Sequence, residues 1–234
     1  MPKLIKISKK YGDKSIFDDF SLSIKEYSTT ALLGKSGVGK TTLLNVIAGL
    51  TEYSGESSGF GKISYVFQEP RLIEHLTVYE NIDRVLRSLI KDENERKERI
   101  TEVLTVVKLL PLENRLAGEL SGGEMQRVSL ARAFAFPSDT VLLDEAFNSL
   151  DLALKISVMD DFSALNRRYG RTCIFVTHDV DDALYLADEI VLLEDNSAVF
   201  FGSVGKKSED VYASVDERLR KRIYDRLLKG ILER

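Results

Sequence analysis

The spacing of apolar residues divides the chain into short strands and amphipathic helices. Alternating or β-rich runs at Leu4–Ile7, Phe20–Ile24 and Thr29–Leu33 predict three strands. A glycine-rich turn, Gly34–Gly39, follows the third of them. The next segment predicts a helix with an apolar stripe of Leu43, Leu44, Ile47 and Leu50. Further glycines then predict loops before a short strand at 63–67; they are Gly49, Gly55, Gly59 and Gly61.

The pattern becomes helical from about Val78 to Leu110. Two apolar stripes predict two helices there; they consist of Val85, Leu86, Leu89 and Ile90, and of Ile100, Val103, Leu104 and Val107. Between the stripes, Lys91–Arg99 is almost entirely charged or polar, which predicts a solvated helix face or a connection between helices. Pro111 is expected to end the second helix, and a third helix is expected over about 121–136.

Strand patterns return in the second half of the chain. Val141–Leu143 and Cys173–Val176 are continuous apolar runs, which are typical of strands buried on both faces of a parallel sheet. The alternation of such strands with helices predicts an α/β fold. Near the end, residues from about 216 to 234 predict a charged helix that packs on the body through one face, made of Leu219, Ile223, Leu227 and Ile231.

Composition narrows the function classes. The 234 residues include 33 Lys and Arg against 37 Asp and Glu, and this net charge of -4 argues against broad nonspecific binding to nucleic acid. One cysteine, Cys173, excludes an intramolecular disulfide. No apolar run approaches the roughly 20 residues of a membrane-spanning helix. We therefore expect a cytoplasmic protein whose membrane role, if any, comes through a partner.

The turn after the third strand has the pattern of a phosphate-binding loop. Gly34–Thr41 matches G-x-x-x-x-G-K-[S/T] between a predicted strand and a predicted helix. Its glycines let successive backbone N–H groups face one anion, and the helix start adds its positive dipole end. Lys40 would reach the β- and γ-phosphates, and the Thr41 hydroxyl would bind Mg²⁺. An ordinary flexible glycine loop is the alternative, and the position between strand and helix argues against it.

A second group of charges suits the same chemistry. The apolar run Val141–Leu143 ends in two carboxylates, Asp144 and Glu145. Asp144 suits the Mg²⁺ shell, directly or through water. Glu145 is better placed to polarise an attacking water as a general base.

Leu120–Arg127, with the sequence Leu-Ser-Gly-Gly-Glu-Met-Gln-Arg, resembles the signature motif of ABC ATPases. Gln68 matches the family's Q-loop, Ser149–Asp151 its D-loop, and His178 its switch histidine. Tyr11 matches the aromatic residue that stacks on adenine. The resemblance covers about residues 3–203. It implies a P-loop NTPase core with a mostly parallel sheet, a small antiparallel β subdomain and an inserted helical subdomain.

The resemblance also implies domain boundaries and roles. The core would comprise 1–77 and 137–205, the helical subdomain 78–136 and a helical tail 206–234. Glu145, His178 and Lys40 would be catalytic, and Thr41, Gln68 and Asp144 would hold Mg²⁺. ATP would be bound by Tyr11, Gly34, Lys35, Ser36, Gly37, Val38, Gly39, Lys40, Thr41, Thr42, Gln68, Ser121, Gly122, Gly123 and Asp151.

The family works as head-to-tail dimers, in which each ATP lies between the P-loop of one subunit and the signature motif of the other. The resemblance therefore implies a homodimer that closes on ATP, beneath membrane permease subunits and with a substrate-binding protein as a further partner, and no nucleic acid as a ligand. The expected location is the inner face of the cell membrane, through the permease.

The stretch Phe67–Leu72 looks like the importers of nitrate, sulfonates, taurine and pyrimidine precursors. Two features depart from that subfamily: Glu74-His75 stands where a Pro-Trp pair is usual, and the segment Leu50–Tyr65 is short. The expected function is an ATP-hydrolysing subunit of an importer of a small anion or nutrient. The alternatives are an exporter or lipoprotein-release ATPase, and a soluble ABC ATPase acting on nucleic acid or the ribosome.

Overall fold

The computed structural model describes residues 1–203 and 217–232. The chain forms two compact units, Met1–Gly61 with Arg171–Arg234, and Lys62–Gly170. These units differ from the predicted division into 1–77 with 137–205, 78–136 and 206–234, which stays a prediction. Residues 204–216 and 233–234 lie outside the described residues. Among the residues described, no helix is both long and apolar enough to cross a membrane.

The elements alternate as the apolar pattern predicts. The first 61 residues contain β1 (Lys3–Tyr11), β2 (Lys14–Ser23), β3 (Thr29–Gly34), α1 (Lys40–Ile47) and β4 (Ser54–Ser58). The second unit contains β5 (Ile63–Val66), α2 (Val78–Leu86), α3 (Glu93–Val106), α4 (Gly122–Ala135), β6 (Thr140–Asp144) and α5 (Leu152–Arg168), with 3-10 turns at Leu110–Leu112 and Ala117–Glu119. The first unit resumes with β7 (Thr172–Val176), α6 (Val180–Leu186), β8 (Glu189–Glu194), β9 (Ser197–Ser203) and α7 (Glu217–Leu232).

The strands of each unit confirm an α/β fold. In the first unit β3 pairs in parallel with β7 and β8, and β9 joins β8 antiparallel. All of β3 and β7 is buried, as continuous apolar runs predict. Burial raises the pKa of the Cys173 thiol in β7, with a smaller contribution from the charge of Asp188. In the second unit β5 and β6 pair in parallel.

A small antiparallel sheet of β2, β1 and β4 completes the first unit. One expectation about it was wrong, since Gly55 lies within β4 rather than in a loop. Its φ is +105°, and a Cβ there would lie 2.4 Å from the carbonyl oxygen of Lys6. Only glycine therefore lets β4 pass so close to β1.

The helices α1 and α3 end earlier than the sequence predicts. α1 ends at Ile47, because Gly49 takes a left-handed conformation (φ +66°) and the N–H of Leu50 donates to the carbonyl of Asn45. Leu50 is therefore exposed. α3 ends at Val106 through the same kind of cap, with Lys108 at φ +57°, so Pro111 does not end this helix.

The buried stripes of the second unit follow the prediction in part. Ile100, Val103, Leu104 and Val107 are fully buried. Leu89 is 42% exposed, because α2 ends before it. The charged stretch 91–99 is largely solvated, and its residues 93–99 form the first half of α3. The third predicted helix is confirmed as α4, which Ser121 caps.

One buried carboxylate holds α2 to α3. The Asp83 side chain is 2% exposed and accepts hydrogen bonds from Arg87 and Arg96. Arg96 also donates to the carbonyls of Ile90 and Lys91 between the two helices. Burial alone would raise the pKa of the Asp83 carboxyl, but the two guanidinium groups outweigh burial and lower it. The charged form of Asp83 is therefore part of the folded state.

Replacing Asp83 with Asn is expected to reduce the free energy of unfolding by about 3 kcal/mol at pH 7, because Arg96 loses its buried partner. The folded carboxyl has the lower pKa, so its contribution is complete above the unfolded value, near 4, and is lost as the pH falls through the folded value. Urea titrations at several pH values measure this. Arg87→Met is the control; Arg87 is 67% exposed and should cost less than about 1 kcal/mol. Equal stability of wild type and Asp83→Asn at pH 7 would contradict the assignment.

The tail helix packs on the first unit, as predicted. Leu219 and Ile223 of α7 are buried. Arg220 pairs with Asp181 at the start of α6, and Arg226 forms two hydrogen bonds with Glu194 at the end of β8. Those bonds lower the pKa of Glu194.

Candidate functional site

The loop of residues 34–41 connects β3 to α1, as its pattern predicts. Gly39 caps α1 with φ +109°. A Cβ at this position would lie 2.7 Å from Cγ2 of Ile16 and 2.9 Å from Cζ of Phe17. The side chains of β2 therefore leave room only for glycine at this position of the loop.

Lys40 forms hydrogen bonds within this loop. Its side chain is buried, and Nζ donates to the carbonyl of Gly34 at 2.8 Å and to that of Lys35 at 2.9 Å. No side chain caps the start of α1, so backbone N–H groups and a positive dipole end lie next to the ammonium group. Thr41 is exposed and Thr42 is half-buried in the first turn of α1. This arrangement suits a phosphate group.

A cavity of about 560 Å³ lies beside the loop. It is lined by Lys14, Ser15, Ile16, Asp18, Lys35, Ser36, Gly37, Val38, Asp195 and Asn196. Only the loop residues among them were predicted, because the others come from β2 and the turn after β8 and belong to no motif. Tyr11 is not among the lining residues; its ring is half exposed at the end of β1, with Nζ of Lys9 at 4.6 Å from the ring centre.

His178 follows β7 at the same edge of the parallel strands at which the loop of residues 34–41 follows β3. β7 pairs in parallel with β3, with Val176 opposite Leu32, so both segments follow carboxyl ends. The N–H of Thr177 donates to the carbonyl of Leu32. Asp179 caps α6 by accepting from the N–H of Asp181 at 2.8 Å. The exposed His178 side chain is thus carried on a well-fixed turn.

The second unit brings Gln68 and Glu145 together. Val66 at the end of β5 lies opposite Leu143 near the end of β6, so the two residues follow neighbouring carboxyl ends. Nε2 of Gln68 donates to Oε2 of Glu145 at 3.3 Å, and Nδ2 of Asn148 donates to the same oxygen at 3.0 Å. Glu145 has φ +50°, a left-handed conformation that is costly for a residue with a side chain. Two amides and a strained turn therefore orient this carboxylate.

Asp144 is held by a residue that the motifs do not include. Its side chain is 2% exposed at the end of β6. The hydroxyl of Tyr65 forms a hydrogen bond with it; burial and the negative charge of Asp144 together raise the pKa of Tyr65. Neither Tyr65 nor Asn148 was predicted, because their roles depend on strand pairing and on one turn rather than on a sequence pattern.

The predicted signature motif forms the start of α4. Ser121 accepts at Oγ from the N–H of Glu124, and Oε2 of Glu124 accepts from the N–H of Ser121 at 2.8 Å. The bond from this N–H is the main reason that the pKa of Glu124 is lowered. Ser121 and Gly122 are exposed and Gly123 is half-buried. Asp151 caps α5 by accepting from the N–H of Leu154 at 3.1 Å.

The side chains predicted to hold Mg²⁺ offer oxygen donors of the kinds that this ion prefers: the Thr41 hydroxyl, the Asp144 carboxylate and the Gln68 amide. Within the described part of the chain, no three His, Cys, Asp or Glu side chains group into a metal site of their own. Each of the three predicted side chains therefore fits Mg²⁺ by its donor chemistry.

The chain matches a known protein family and individual known proteins. The pattern of the ABC transporter family matches residues 17–148. The chain is 37% identical over 220 residues to the spermidine/putrescine import ATP-binding protein PotA from two strains of Haemophilus influenzae. The match covers 89% of this chain and 59% of that protein. This chain thus spans about three fifths of the length of those relatives.

Solved structures agree as well. A dimeric post-hydrolysis state of the ATP-binding cassette MJ0796, bound to ADP and Pi, superposes with a TM-score of 0.78 at 29% identity, covering 88% of this chain and all of that one. A dimeric structure of MJ0796 described as a bacterial ABC transporter cassette gives 0.77 at 30% identity, with 84% and 96% covered. The resemblance to the family is confirmed.

Proposed function

Because the chain belongs to the ABC transporter family, we propose that it is the ATP-hydrolysing subunit that powers a membrane transporter. The observation that carries the proposal is the Glu145 carboxylate, held by two amides next to the buried carboxylate of Asp144. A general base needs this kind of fixed orientation toward a water molecule. The same chain has a complete phosphate-binding loop at 34–41.

The residues take distinct parts in the proposed reaction. The loop amides and Lys40 bind the β- and γ-phosphates, Tyr11 stacks on adenine, and His178 donates a hydrogen bond to the γ-phosphate. Thr41, Asp144 and Gln68 would hold Mg²⁺, which would supply positive charge against the phosphates. Glu145 takes a proton from water as the water oxygen bonds to the γ-phosphorus. The bond from that phosphorus to the oxygen bridging to the β-phosphate breaks, which leaves ADP and phosphate.

A second copy of the chain completes each site in this proposal. The exposed Ser121 and Gly122 at the start of α4, with Gly123 and Asp151, contact the ATP held by the partner's loop. The exposure of this helix start and the dimeric structures of the similar cassette support it. ATP then closes the dimer, and hydrolysis opens it beneath the permease subunits at the inner face of the membrane.

We propose import as the direction of transport, because the similar curated proteins are named as import proteins. Their named cargo, spermidine and putrescine, is cationic, whereas the stretch 67–72 resembles importers of nitrate, sulfonates and taurine. The proposed cargo is therefore a small nutrient delivered by a substrate-binding protein, with an anion and a polyamine as the two candidates.

A gentle membrane pull-down tests the transporter assignment. The tagged chain is expressed in its native cell, and its partners are identified by mass spectrometry. Recovery of a small multispanning protein is expected, and any co-purified binding protein can be tested with nitrate, taurine and putrescine to identify the cargo. Recovery of ribosomal or DNA-repair proteins without a membrane protein would contradict the assignment to transport.

A further inference from the structure

A short segment of the second unit is held by the helix that the signature motif begins. We define the Gln68 segment as residues Phe67–Arg71. At one end, Nη1 of Arg132 in α4 donates to the carbonyl of Arg71 at 2.6 Å. At the other end, Nε2 of Gln126 in α4 donates to the carbonyl of Phe67 at 3.4 Å. One rigid helix thus holds both ends of the segment that carries Gln68.

The side chains of the segment continue this connection to the carboxylates. The guanidinium of Arg71 lies 3.7 Å from the centre of the Phe67 ring, and that ring stacks on Tyr65 at 4.1 Å between centres. Tyr65 is the residue whose hydroxyl bonds Asp144. Gln68, in the middle of the segment, donates to Glu145. A shift of the Gln68 segment would therefore also displace the groups that form hydrogen bonds with Asp144 and Glu145.

The guanidinium of Arg132 is partly desolvated at its position in α4, which costs free energy. Burial lowers the pKa of its guanidinium, which means that the charged form loses solvation there. Among the described residues, no carboxylate lies within ion-pair distance of it, and its hydrogen bond goes to the Arg71 carbonyl. An apolar side chain would avoid this desolvation cost. The hydrogen bond from Arg132 to the Gln68 segment explains why a charged side chain occupies this position of α4.

We infer that Arg132 is a positioning residue for ATP hydrolysis, which keeps Gln68 against Glu145 by fixing the Gln68 segment to α4. Gln126, which is buried and whose Oε1 has no hydrogen-bond partner, supports the other end of the same segment. This inference rests on the proposed function, since it assigns Arg132 a part in that reaction. It places no new group in contact with ATP.

The test replaces Arg132 with Met, which keeps length and removes the donor. Arg99→Met is the matched control, because Arg99 is also half-buried on a helix of this unit and donates to a main-chain carbonyl, that of Ala135. Backbone amide NMR signals of residue 145 and of residues 67–71, apart from Pro70, which has no amide proton, are compared with wild type. The rate of ATP hydrolysis is measured against ATP concentration, and thermal unfolding is followed alongside.

For Arg132→Met we expect shifted signals at 67–71, a kcat lowered about tenfold and a KM within about twofold of wild type, because misplacement affects chemistry more than binding. Its unfolding midpoint should equal or exceed that of wild type. Arg99→Met should match wild type in the signals of 67–71 and in kcat. If Arg132→Met does not fold, Arg132→Lys, which keeps the charge and one donor, should fold with an intermediate kcat.

Two results would overturn the inference: unshifted signals at 67–71 in Arg132→Met, or a kcat equal to that of the Arg99 control. Failure of the proposed function gives a different result. In that case the wild-type chain itself does not hydrolyse ATP, whereas the NMR comparison still decides whether Arg132 holds the Gln68 segment.

Discussion

Glu145→Gln is expected to keep ATP binding and to lower the rate of hydrolysis by about a hundredfold or more, the usual contribution of a general base. The Gln amide oxygen can still accept from Gln68 and Asn148, so the local structure and the stability should change little. What is lost is the negative charge that takes the proton from water. ATP-bound dimer should therefore accumulate, since binding proceeds and turnover does not.

Steady-state hydrolysis, nucleotide titration and size-exclusion chromatography with ATP measure these three effects. The matched control is Glu102→Gln. Glu102 is another carboxylate of the same unit with two donors, Arg168 at 2.7 Å and Tyr169 at 2.6 Å. Its replacement should leave kcat unchanged. A normal hydrolysis rate in Glu145→Gln would remove Glu145 from the role of base.

Lys40→Ala is expected to weaken ATP binding by about a hundredfold, because two phosphate groups lose a charge-assisted donor. The structure adds a second cause. Nζ of Lys40 bonds the carbonyls of Gly34 and Lys35, so its loss also releases the loop. Lys40→Ala also removes the packing of the side chain. Lys40→Met fills most of the same space but has no donor, so it shows the loss of the phosphate contact and of the loop hydrogen bonds without the loss of packing.

Nucleotide affinity by calorimetry is the measurement. Lys3→Ala serves as the control, since Lys3 is an exposed lysine of the same unit whose ion pair with Glu56 is long, at 4.0 Å. We expect Lys40→Met to bind ATP as weakly as Lys40→Ala, and Lys3→Ala to bind it as wild type does. Unchanged affinity in both Lys40 variants would contradict the assignment of the phosphate-binding loop.

Local sequence patterns predicted correctly those features that depend on one strand, loop or helix alone. The buried runs in β3, β6 and β7, the glycine loop before α1 and the cap of α4 at Ser121 follow from residue type and spacing. One error is a missed strand, since Gly55 lies in β4, and the others lie at element ends. The ends of α1 and α3 depend on single left-handed residues, Gly49 and Lys108, which neither the apolar stripe of α1 nor the position of Pro111 reveals.

The sequence by itself determined which chemical groups this protein has: a phosphate loop with its lysine, two carboxylates after a buried strand, and a signature motif at a helix start. Only the tertiary structure decided which neighbours orient them. Asn148 and Gln68 share one oxygen of Glu145, Tyr65 bonds Asp144, and Arg132 holds the Gln68 segment. The physical reason is that a motif specifies residue types along the chain, whereas a hydrogen bond depends on strand register and helix packing. Register and packing bring together residues as far apart in the sequence as Gln68 and Glu145.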